Sequence, residues 1–209
     1  MRDFPPEPTL RRLPWYLAYV NLLSQRGVEY VSSTAIARSI NVDASQIAKD
    51  LSVLGIRGKT RIGYEVAALE KALEEFLGFG RSHRAVMMGA GSLGAALISD
   101  SGLSRYGLDI VAGFDVNPAI VGTAIAGVPV YDVAEMPARV PELGAEIGVL
   151  AVPVGNAQET ADRLVDAGIR ALWNFTPMRI RTAPEIVVQN ISIYAHLAVM
   201  YNRLHSRQK

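Results

Sequence analysis

Three glycines stand at a spacing that lets a backbone approach phosphate groups closely. Gly89, Gly91 and Gly94 form a Gly-x-Gly-x-x-Gly pattern directly after the apolar run 84–88. In such a pattern the first glycine permits a tight turn, the second leaves room for a pyrophosphate, and the third lets a helix pack closely on a sheet. The chemistry that this spacing predicts is the non-covalent binding of a dinucleotide.

A helix and an acidic residue accompany the glycines. The helix is predicted to begin near Ser92, where its free N–H groups and positive dipole end can face phosphates. Asp115 ends a second apolar run, 109–114, where a carboxylate can accept hydrogen bonds from both hydroxyls of an adenosine ribose. Because a carboxylate there repels a 2′-phosphate, NAD(H) is favoured over NADP(H). The cofactor-binding residues expected in these segments are Gly89, Ala90, Gly91, Ser92, Leu93, Gly94 and Asp115.

Length and composition limit what surrounds this turn. The 209 residues, 50% of them hydrophobic, suffice for one ordinary domain and one small one. With no cysteine the chain has no disulfide, no thiol nucleophile and no thiolate metal site. No apolar stretch reaches the ~20 residues of a membrane span, and the first six residues lack the apolar core of a signal peptide. We therefore expect a soluble, cytoplasmic protein without a metal site or a membrane partner.

Helical periodicity organises the amino-terminal part of the chain. A first helix is predicted over residues 9–26. Ser33 is predicted to cap a short second helix and Asp43 a third one, with a tight turn between them. The third helix is expected to carry the apolar residues Ile47, Leu51 and Leu54. Two short helices joined in this way predict a helix-turn-helix.

A basic segment follows the third helix. The net charge is only +1, but between Arg38 and Arg61 five basic residues stand against two acidic ones. Residues 55–66 have glycines at both ends of a basic tip and β-favouring residues at the close, which predicts a two-stranded hairpin, here named the basic hairpin. With a further helix predicted over residues 67–77, the segment is typical of a winged helix, and the local positive charge favours contacts with phosphate.

In a helix-turn-helix the second helix enters the major groove of DNA. Gln46 on this helix suits adenine, and Lys49 suits phosphate or guanine. Arg57, Lys59 and Arg61 are placed to enter an adjacent minor groove. The alternative is a solvated helical face, which the basic hairpin disfavours. The DNA-binding residues expected are Ser33, Ser45, Gln46, Lys49, Arg57, Lys59 and Arg61.

Strands and helices alternate after the pattern changes near residues 78–83. Apolar runs occur at 84–88, 109–114, 147–152 and 169–173, with helical stretches at 92–100 and 157–167. This order predicts an α/β fold with a Rossmann-like, doubly wound parallel sheet.

The last segment of the chain is predicted to be an apolar helix over residues 194–204. Such a helix usually packs against another protein surface, and a second subunit is the obvious candidate. The whole chain is then expected to have a winged-helix DNA-binding domain over 1–80, a Rossmann NAD(H)-binding domain over 81–193, and a dimerisation helix over 194–209.

A dehydrogenase is the alternative of a different class. Hydride transfer needs a general acid or base near the nicotinamide, and usually a second domain or long insertion that encloses the substrate. The three histidines, His83, His196 and His205, stand at the domain boundary or on the terminal helix, and no Tyr-x-x-x-Lys pair occurs. We therefore expect no catalytic residues, although a small oxidoreductase or a nucleotide- or CoA-binding module stays open.

A winged helix joined to an NAD-type Rossmann domain and ending in an apolar helix resembles the redox-sensing repressor family Rex. The resemblance runs from Leu10 to Leu204. It rests on short motifs in order, among them Arg12-Leu-Pro, Gln46-Ile-Ala-Lys49-Asp50-Leu51-Ser52, Gly63-Tyr64, Gly89-Ala-Gly-Ser-Leu-Gly94, Phe114-Asp115, Ala151-Val-Pro153 and Asn174-Phe-Thr-Pro177.

The resemblance implies a homodimer whose carboxyl-terminal helices swap between subunits and which binds double-stranded operator DNA. NADH would release the dimer from DNA, whereas NAD⁺ would favour or permit the bound form, since a ligand acts through its differential affinity for two arrangements. An apolar pocket would prefer the neutral ring of NADH. The candidates for that pocket are Val152, Pro153, Phe175 and the partner's Ile193.

Three of the departures from the family pattern concern the expected response to NADH. Where some relatives have Arg on the first helix this chain has Ala18, and where some have Tyr after the dinucleotide-binding helix it has Asp100. Relatives often carry an Asp before the final helix, in a switchable polar contact, where this chain has Ser192. The alternative within the family is therefore a DNA-binding regulator whose response to NADH is weakened or altered.

Overall fold

The chain divides into two compact units, one ending at Arg81 and the other beginning at Ser82. The computed structural model describes residues 5–206. Residues 1–4 and residues 207–209, the end of the expected dimerisation segment, lie outside the described residues. Each unit has its own hydrophobic core.

The first unit is mainly helical. Its elements are α1 (Glu7–Gln25), β1 (Tyr30–Val31), α2 (Ser33–Ile40), α3 (Ala44–Ser52), β2 (Tyr64–Glu65) and α4 (Val66–Leu77). Leu13 and Leu17 of α1, Ile47 of α3 and Leu69 of α4 are fully buried in one core. The next residue of α1 after Pro14, Trp15, is 69% exposed and takes no part in this core.

The caps of the two short helices are set by polar side chains. Oγ of Ser32 accepts a 3.1 Å hydrogen bond from the N–H of Ala35, so the prediction that Ser33 caps α2 is wrong by one residue. Ser32 has the extended backbone that a capping residue needs, whereas Ser33 is already helical. Asp43 caps α3 as predicted, since its carboxylate accepts a 2.7 Å hydrogen bond from the N–H of Ser45.

The third helix is shorter than predicted. It ends at Ser52, so Leu54 lies beyond it, half-buried against the core. Asn41 ends the preceding helix in the left-handed conformation, with φ of 54°. The tight turn between the two helices is therefore present, and α2 and α3 form the helix-turn-helix that the sequence predicts.

The basic hairpin differs from its prediction. Lys59 and Gly63 form an isolated bridge across it, with the Lys59 N–H 2.8 Å from the Gly63 carbonyl oxygen. The strand partner of β2 is β1, which precedes α2, instead of residues within the hairpin itself. Gly63 permits this pairing because its φ is +105° and a Cβ there would collide with the carbonyl of Val31.

The second unit is built on a seven-stranded sheet. Its elements are β3 (His83–Met88), α5 (Ser92–Ile98), α6 (Ser101–Arg105), β4 (Leu108–Asp115), β5 (Ala124–Ile125), β6 (Val128–Asp132), α7 (Met136–Leu143), β7 (Ile147–Leu150), α8 (Ala157–Asp166), β8 (Ala171–Asn174), β9 (Val187–Asn190) and α9 (Ile193–Ser206), with short 3-10 helices at Val133–Glu135 and Val154–Asn156. The strand order is β5-β6-β4-β3-β7-β8-β9, and all neighbours are parallel except β5 and β6. The predicted doubly wound α/β fold is confirmed.

Both faces of this sheet are covered. Val86 and Met88 of β3 point into a core with α7 and α8, while Ala85 and Met87 point into a second core with α5. Alternate residues of a strand face opposite sides, so a strand buried on both faces is a continuous apolar run. This is why β3 was predictable from the sequence.

Helix α9 behaves differently from the other long helices. No residue of α9 is buried within its described span. Tyr194, Val199, Met200 and Leu204 are each about half exposed or more. Between residues 5 and 206 no helix is both long enough and apolar enough to span a lipid bilayer.

Candidate functional site

The carboxyl ends of β3 and β7 mark the point where the strand order reverses. From β3 the chain continues to β4 on one side of the sheet and later to β7 on the other. In open α/β sheets ligands bind in the crevice at this point. The glycine turn follows β3, and residues 151–153 follow β7, so both predicted segments meet here.

The three glycines of the turn differ in how much space a side chain would have. Gly89 has φ of +88°, and a Cβ there would lie 2.6 Å from the carbonyl oxygen of Ala151. A Cβ at Gly94 would collide with the Gly89 carbonyl. A Cβ at Gly91, by contrast, has no described heavy atom within 4 Å. The fold therefore explains Gly89 and Gly94, while the bare backbone of Gly91 faces open space, as a site for a close-lying phosphate requires.

The helix after the turn leaves its first N–H groups available. Helix α5 has Gly91 at its N-cap, and no side chain of the described residues caps it. The N-terminus of a helix stabilises an anion through its free N–H groups and its dipole. Ser92 and Leu93 in the first turn are exposed. These residues fit the pyrophosphate of a dinucleotide.

Asp115 is half-buried at the end of β4. Its Oδ2 accepts a 2.7 Å hydrogen bond from the N–H of Ala90, and its Oδ1 accepts a 2.9 Å hydrogen bond from the N–H of Asn117. A carboxylate has about four acceptor positions, so two backbone bonds leave capacity for hydroxyl donors. Asp115 thus lies beside the glycine turn and keeps the chemistry that a ribose needs.

A cleft opens from Gly89 and Asp115 toward α8. Val152 and Pro153, two of the four candidates for the apolar pocket, line it. Four polar lining residues were missed by sequence reasoning, namely Asn156, Glu159, Thr160 and Arg163. Their positions follow the i, i+3, i+4, i+7 pattern of one helical face, which was the available signal.

Two predicted pocket residues lie elsewhere in this chain. Phe175 packs against Trp173, with ring centroids 4.6 Å apart, among the residues of the α5-side core. Ile193 is the first residue of α9 and is 51% exposed. Neither lines the cleft beside Asp115, and the resemblance had placed Ile193 in the partner.

The predicted DNA-contacting residues form two groups in the first unit. On α3, Ser45 and Lys49 are exposed. Ser33 shares one surface recess with Lys59 and Arg61 of the basic hairpin. Arg57, also on the basic hairpin, is exposed.

Two basic residues of the hairpin are distinguished by a side-chain contact and by a backbone conformation. Nζ of Lys59 donates a 2.7 Å hydrogen bond to the Tyr30 hydroxyl and lies 4.7 Å from its ring centroid. This hydrogen bond raises the pKa of Lys59, which therefore stays charged. Arg61 has φ of 64°, the left-handed region that a non-glycine residue rarely adopts. Its guanidinium has no ion-pair partner among residues 5–206.

A buried carboxylate on α3 was not predicted. Asp50 is 1% exposed, and its oxygens accept hydrogen bonds from Arg12 and Tyr16 of α1 and from Gln46 of α3. Burial opposes its charge, but these hydrogen bonds and one from Thr9 outweigh burial and lower the pKa of Asp50 to about 2. Gln46, predicted to be a free base-contacting residue, is thus half-buried and bound through one N–H.

The histidines have structural partners. Nδ1 of His83 lies 2.6 Å from Oε1 of Glu146, and Nδ1 of His196 lies 2.9 Å from the carbonyl oxygen of Ser192 one turn earlier in α9. His205 makes the same kind of contact with Tyr201. Among the described residues, no group of three or more histidine or acidic side chains is placed to hold a metal ion.

Two family models match the chain. "Putative DNA-binding protein N-terminus" covers residues 6–52, and "CoA binding domain" covers residues 81–178. The redox-sensing transcriptional repressor Rex of Bacteroides fragilis is 60% identical over 200 residues, covering 96% of this chain and 91% of that protein. The repressor of the same name from Treponema denticola is 41% identical over 201 residues, covering 95% and 96%.

The chain belongs to the Rex family. The resemblance inferred from the sequence is therefore confirmed. A crystal structure of the Rex-family repressor RSP in complex with beta-NAD+ and operator DNA matches with a TM-score of 0.92 and 33% identity, covering 99% of this chain and 95% of that chain. RSP in complex with beta-NADH matches with a TM-score of 0.88 and 32% identity, covering 99% and 97%. The Rex relatives are named as transcriptional repressors.

Proposed function

We propose that this chain is a homodimeric transcriptional repressor that binds operator DNA and is released by NADH. The observation that carries the proposal is the presence, in one chain, of a helix-turn-helix with a basic hairpin and of a sheet with a dinucleotide turn. A regulator that acts on DNA in this way belongs in the cytoplasm. We assign the bound nucleotide the role of a signal, because the Rex relatives are named as redox-sensing transcriptional repressors.

NAD(H) is the nucleotide that the second unit fits. The uncapped start of α5 and the open space at Gly91 suit the pyrophosphate. Asp115 suits the adenosine ribose and disfavours a 2′-phosphate. Val152 and Pro153 provide apolar surface at the adjoining strand end. An apolar surface favours the neutral ring of NADH over the cationic ring of NAD⁺.

Operator DNA is the partner that the first unit fits. Lys49 and Ser45 are exposed on the helix that enters the major groove in this fold. Arg61 supports the role of the basic hairpin independently. A left-handed arginine costs roughly 1–2 kcal/mol of backbone energy, and a strained residue with no ion-pair partner among the described residues suggests an external one.

A second copy of the chain is the partner that α9 fits. An exposed apolar helix is typical of an interface, and we propose that residues 194–209 exchange between subunits of a dimer. Ile193 at the start of α9 would then reach the partner's nucleotide site, which accounts for its absence from this chain's own cleft.

A weaker response to NADH is the second candidate function. Oδ1 of Asp100 accepts a 2.7 Å hydrogen bond from the N–H of Gly102 and caps α6. Oγ of Ser192 accepts a 3.1 Å hydrogen bond from the N–H of Ala195 in the first turn of α9. Ala18 has no polar group. None of the three positions therefore carries the charged or phenolic group that some relatives have there.

Fluorescence anisotropy with a Rex-type palindromic operator separates the candidates. The protein is titrated onto labelled DNA alone, with excess NAD⁺ and with excess NADH. Release by NADH alone supports the redox-sensing repressor. Equal operator affinity with both nucleotides selects the regulator with an altered response. Absence of binding at low salt to both this operator and the protein's own promoter region contradicts both, and steady NADH turnover or tight CoA binding would point to the third class.

A further inference from the structure

The side-chain amide of Gln46 has a fixed orientation. Its Nε2 donates a 2.8 Å hydrogen bond to Oδ1 of Asp50. An ionised carboxylate only accepts hydrogen bonds, so the nitrogen side of the amide must face it. One of the two N–H groups is thereby used. The second N–H and the carbonyl oxygen remain, and this donor–acceptor pair is the one that reads N7 and N6 of adenine.

Asp50 itself cannot turn to suit another orientation. Arg12 donates from Nε to Oδ2 at 2.6 Å and from Nη2 to Oδ1 at 2.8 Å. The Tyr16 hydroxyl donates to Oδ2 at 2.6 Å, and the Thr9 hydroxyl donates to Oδ1 at 3.0 Å. All three donors lie on α1. The carboxylate is therefore held by a different helix from α3, which carries both Asp50 and Gln46. Both oxygens are fully occupied.

We propose that Asp50, held by Arg12 and Tyr16, is a positioning residue that orients the Gln46 amide so that α3 selects an A·T pair in the operator. The inference rests on the proposed DNA-binding function and adds a determinant of sequence specificity to it. Asp50 never touches DNA, because it is 1% exposed. Its effect passes through Gln46 alone, whereas Lys49 contacts phosphate independently of it.

The test measures base preference, which a purely structural role would not change selectively. Operator duplexes altered at one base pair at a time are titrated with wild type, Gln46→Ala and Asp50→Asn. The Gln46→Ala variant identifies the base pair at which preference is lost. Asn at position 50 can donate as well as accept, so it no longer forces the amide of Gln46 into one orientation. Asp50→Asn should lose roughly 5- to 100-fold of preference at that same base pair and keep the preference elsewhere.

Asp43→Asn is the matched control. It makes the same chemical change on the same helix, and asparagine caps a helix as well as aspartate does. It should keep the full base preference. Full preference in Asp50→Asn, or an equal loss of affinity at every base pair, would overturn the proposal. A Gln46→Ala variant with unaltered base preference would also overturn it while leaving DNA binding intact.

A measurement on the wild type covers the case in which Asp50→Asn does not fold. In ¹⁵N-labelled protein, one side-chain N–H of Gln46 should exchange with solvent at least about tenfold more slowly than those of the exposed Gln25, because breaking a hydrogen bond to a charged group costs about 1.5–3 kcal/mol. Equal exchange rates would overturn the inference. If wild type binds no operator, the proposed function fails, and this measurement still decides the orientation of Gln46.

Discussion

The backbone N–H of Ala90 donates a 2.7 Å hydrogen bond to Oδ2 of Asp115. This bond ties the glycine turn after β3 to the end of β4. The residue expected to bind the ribose therefore also fixes the turn expected to bind the pyrophosphate. The two halves of the dinucleotide site are one hydrogen-bonded assembly, and changes at Asp115 act on both.

Two substitutions at Asp115 distinguish the effect of its charge from the effect of its shape on NADH binding. Asp115→Ala should weaken NADH binding by ~1.5–3 kcal/mol, because charge-assisted hydrogen bonds are lost. Asp115→Asn keeps an acceptor oxygen but removes the charge, so it should bind NADH better than the alanine variant and discriminate less against NADPH. Isothermal titration calorimetry measures both affinities. Unchanged NADH affinity in Asp115→Ala would place the ribose elsewhere.

Gly91 and Gly94 offer a matched pair of identical substitutions. Gly94→Ala should lower the free energy of unfolding by roughly 1–3 kcal/mol, because its methyl group collides with the Gly89 carbonyl. Gly91→Ala has open space and a φ of −67°, so its stability should equal that of wild type. It should nevertheless weaken NADH by about 1–3 kcal/mol, since a methyl group keeps phosphate from the backbone N–H groups. Denaturant unfolding and calorimetry measure the two effects, and tight NADH binding by Gly91→Ala would contradict the assignment.

Lys49 is expected to contact a DNA phosphate. Lys49→Ala should weaken operator binding and lower the slope of log affinity against log salt by about one. Lys71→Ala is the control, because Lys71 is an exposed lysine of the same unit that pairs with Glu75 on α4. Anisotropy titrations at several salt concentrations measure the slopes. Equal slopes for Lys49→Ala and wild type would remove Lys49 from the phosphate contacts.

Arg61 should show opposite effects on stability and on DNA binding. Arg61→Gly relieves the left-handed strain and should raise the free energy of unfolding by about 1 kcal/mol. It also removes a charge from the basic hairpin, so operator affinity should fall. Arg61→Lys keeps both strain and charge and serves as the control. Arg61→Gly binding DNA as tightly as wild type would contradict a DNA contact.

The buried Asp50 makes stability depend on acid pH. Its pKa is about 2 in the folded chain, below the ordinary value of 3.8. A lowered folded pKa contributes stability above the unfolded value, and this contribution is lost as pH falls from about 4 toward 2. The difference in unfolding free energy between wild type and Asp50→Asn should therefore shrink by about 2 kcal/mol over this range. Urea unfolding at pH 5, 3 and 2 measures it, and a constant difference would refute the linkage.

The elements that could be predicted from the sequence are those whose pattern lies within a short stretch of the chain. Helix α4, the cap at Asp43 and the central strand β3 follow from spacing, capping chemistry and a continuous apolar run. Strand β1 was missed because two residues carry no periodicity, and its pairing with β2 depends on Gly63 and the close approach of Val31. Strand β9, at the edge of the sheet, was missed because exposed residues break the apolar pattern.

The candidate site was also predictable only where its sequence pattern is local. The glycine turn and Asp115 form a local pattern with a known purpose. The Asp50 network depends on α1 approaching α3, which joins residues 38 positions apart. No sequence periodicity reports such a contact, so Gln46 was predicted to be free. The polar face of α8 was visible in the spacing, but only the fold shows that it borders the cleft.

The two tryptophans fall one in each unit, which gives the molecule two built-in optical reporters. Trp15 on α1 is 69% exposed, whereas Trp173 on β8 is half-buried and packs at a tilt against Phe175. Their emission maxima should differ, because an indole in water emits at longer wavelength than a shielded one. A single fluorescence spectrum recorded during unfolding can therefore report the two units separately. It would show directly whether a nucleotide protects only the unit to which it binds, without any label attached to the protein.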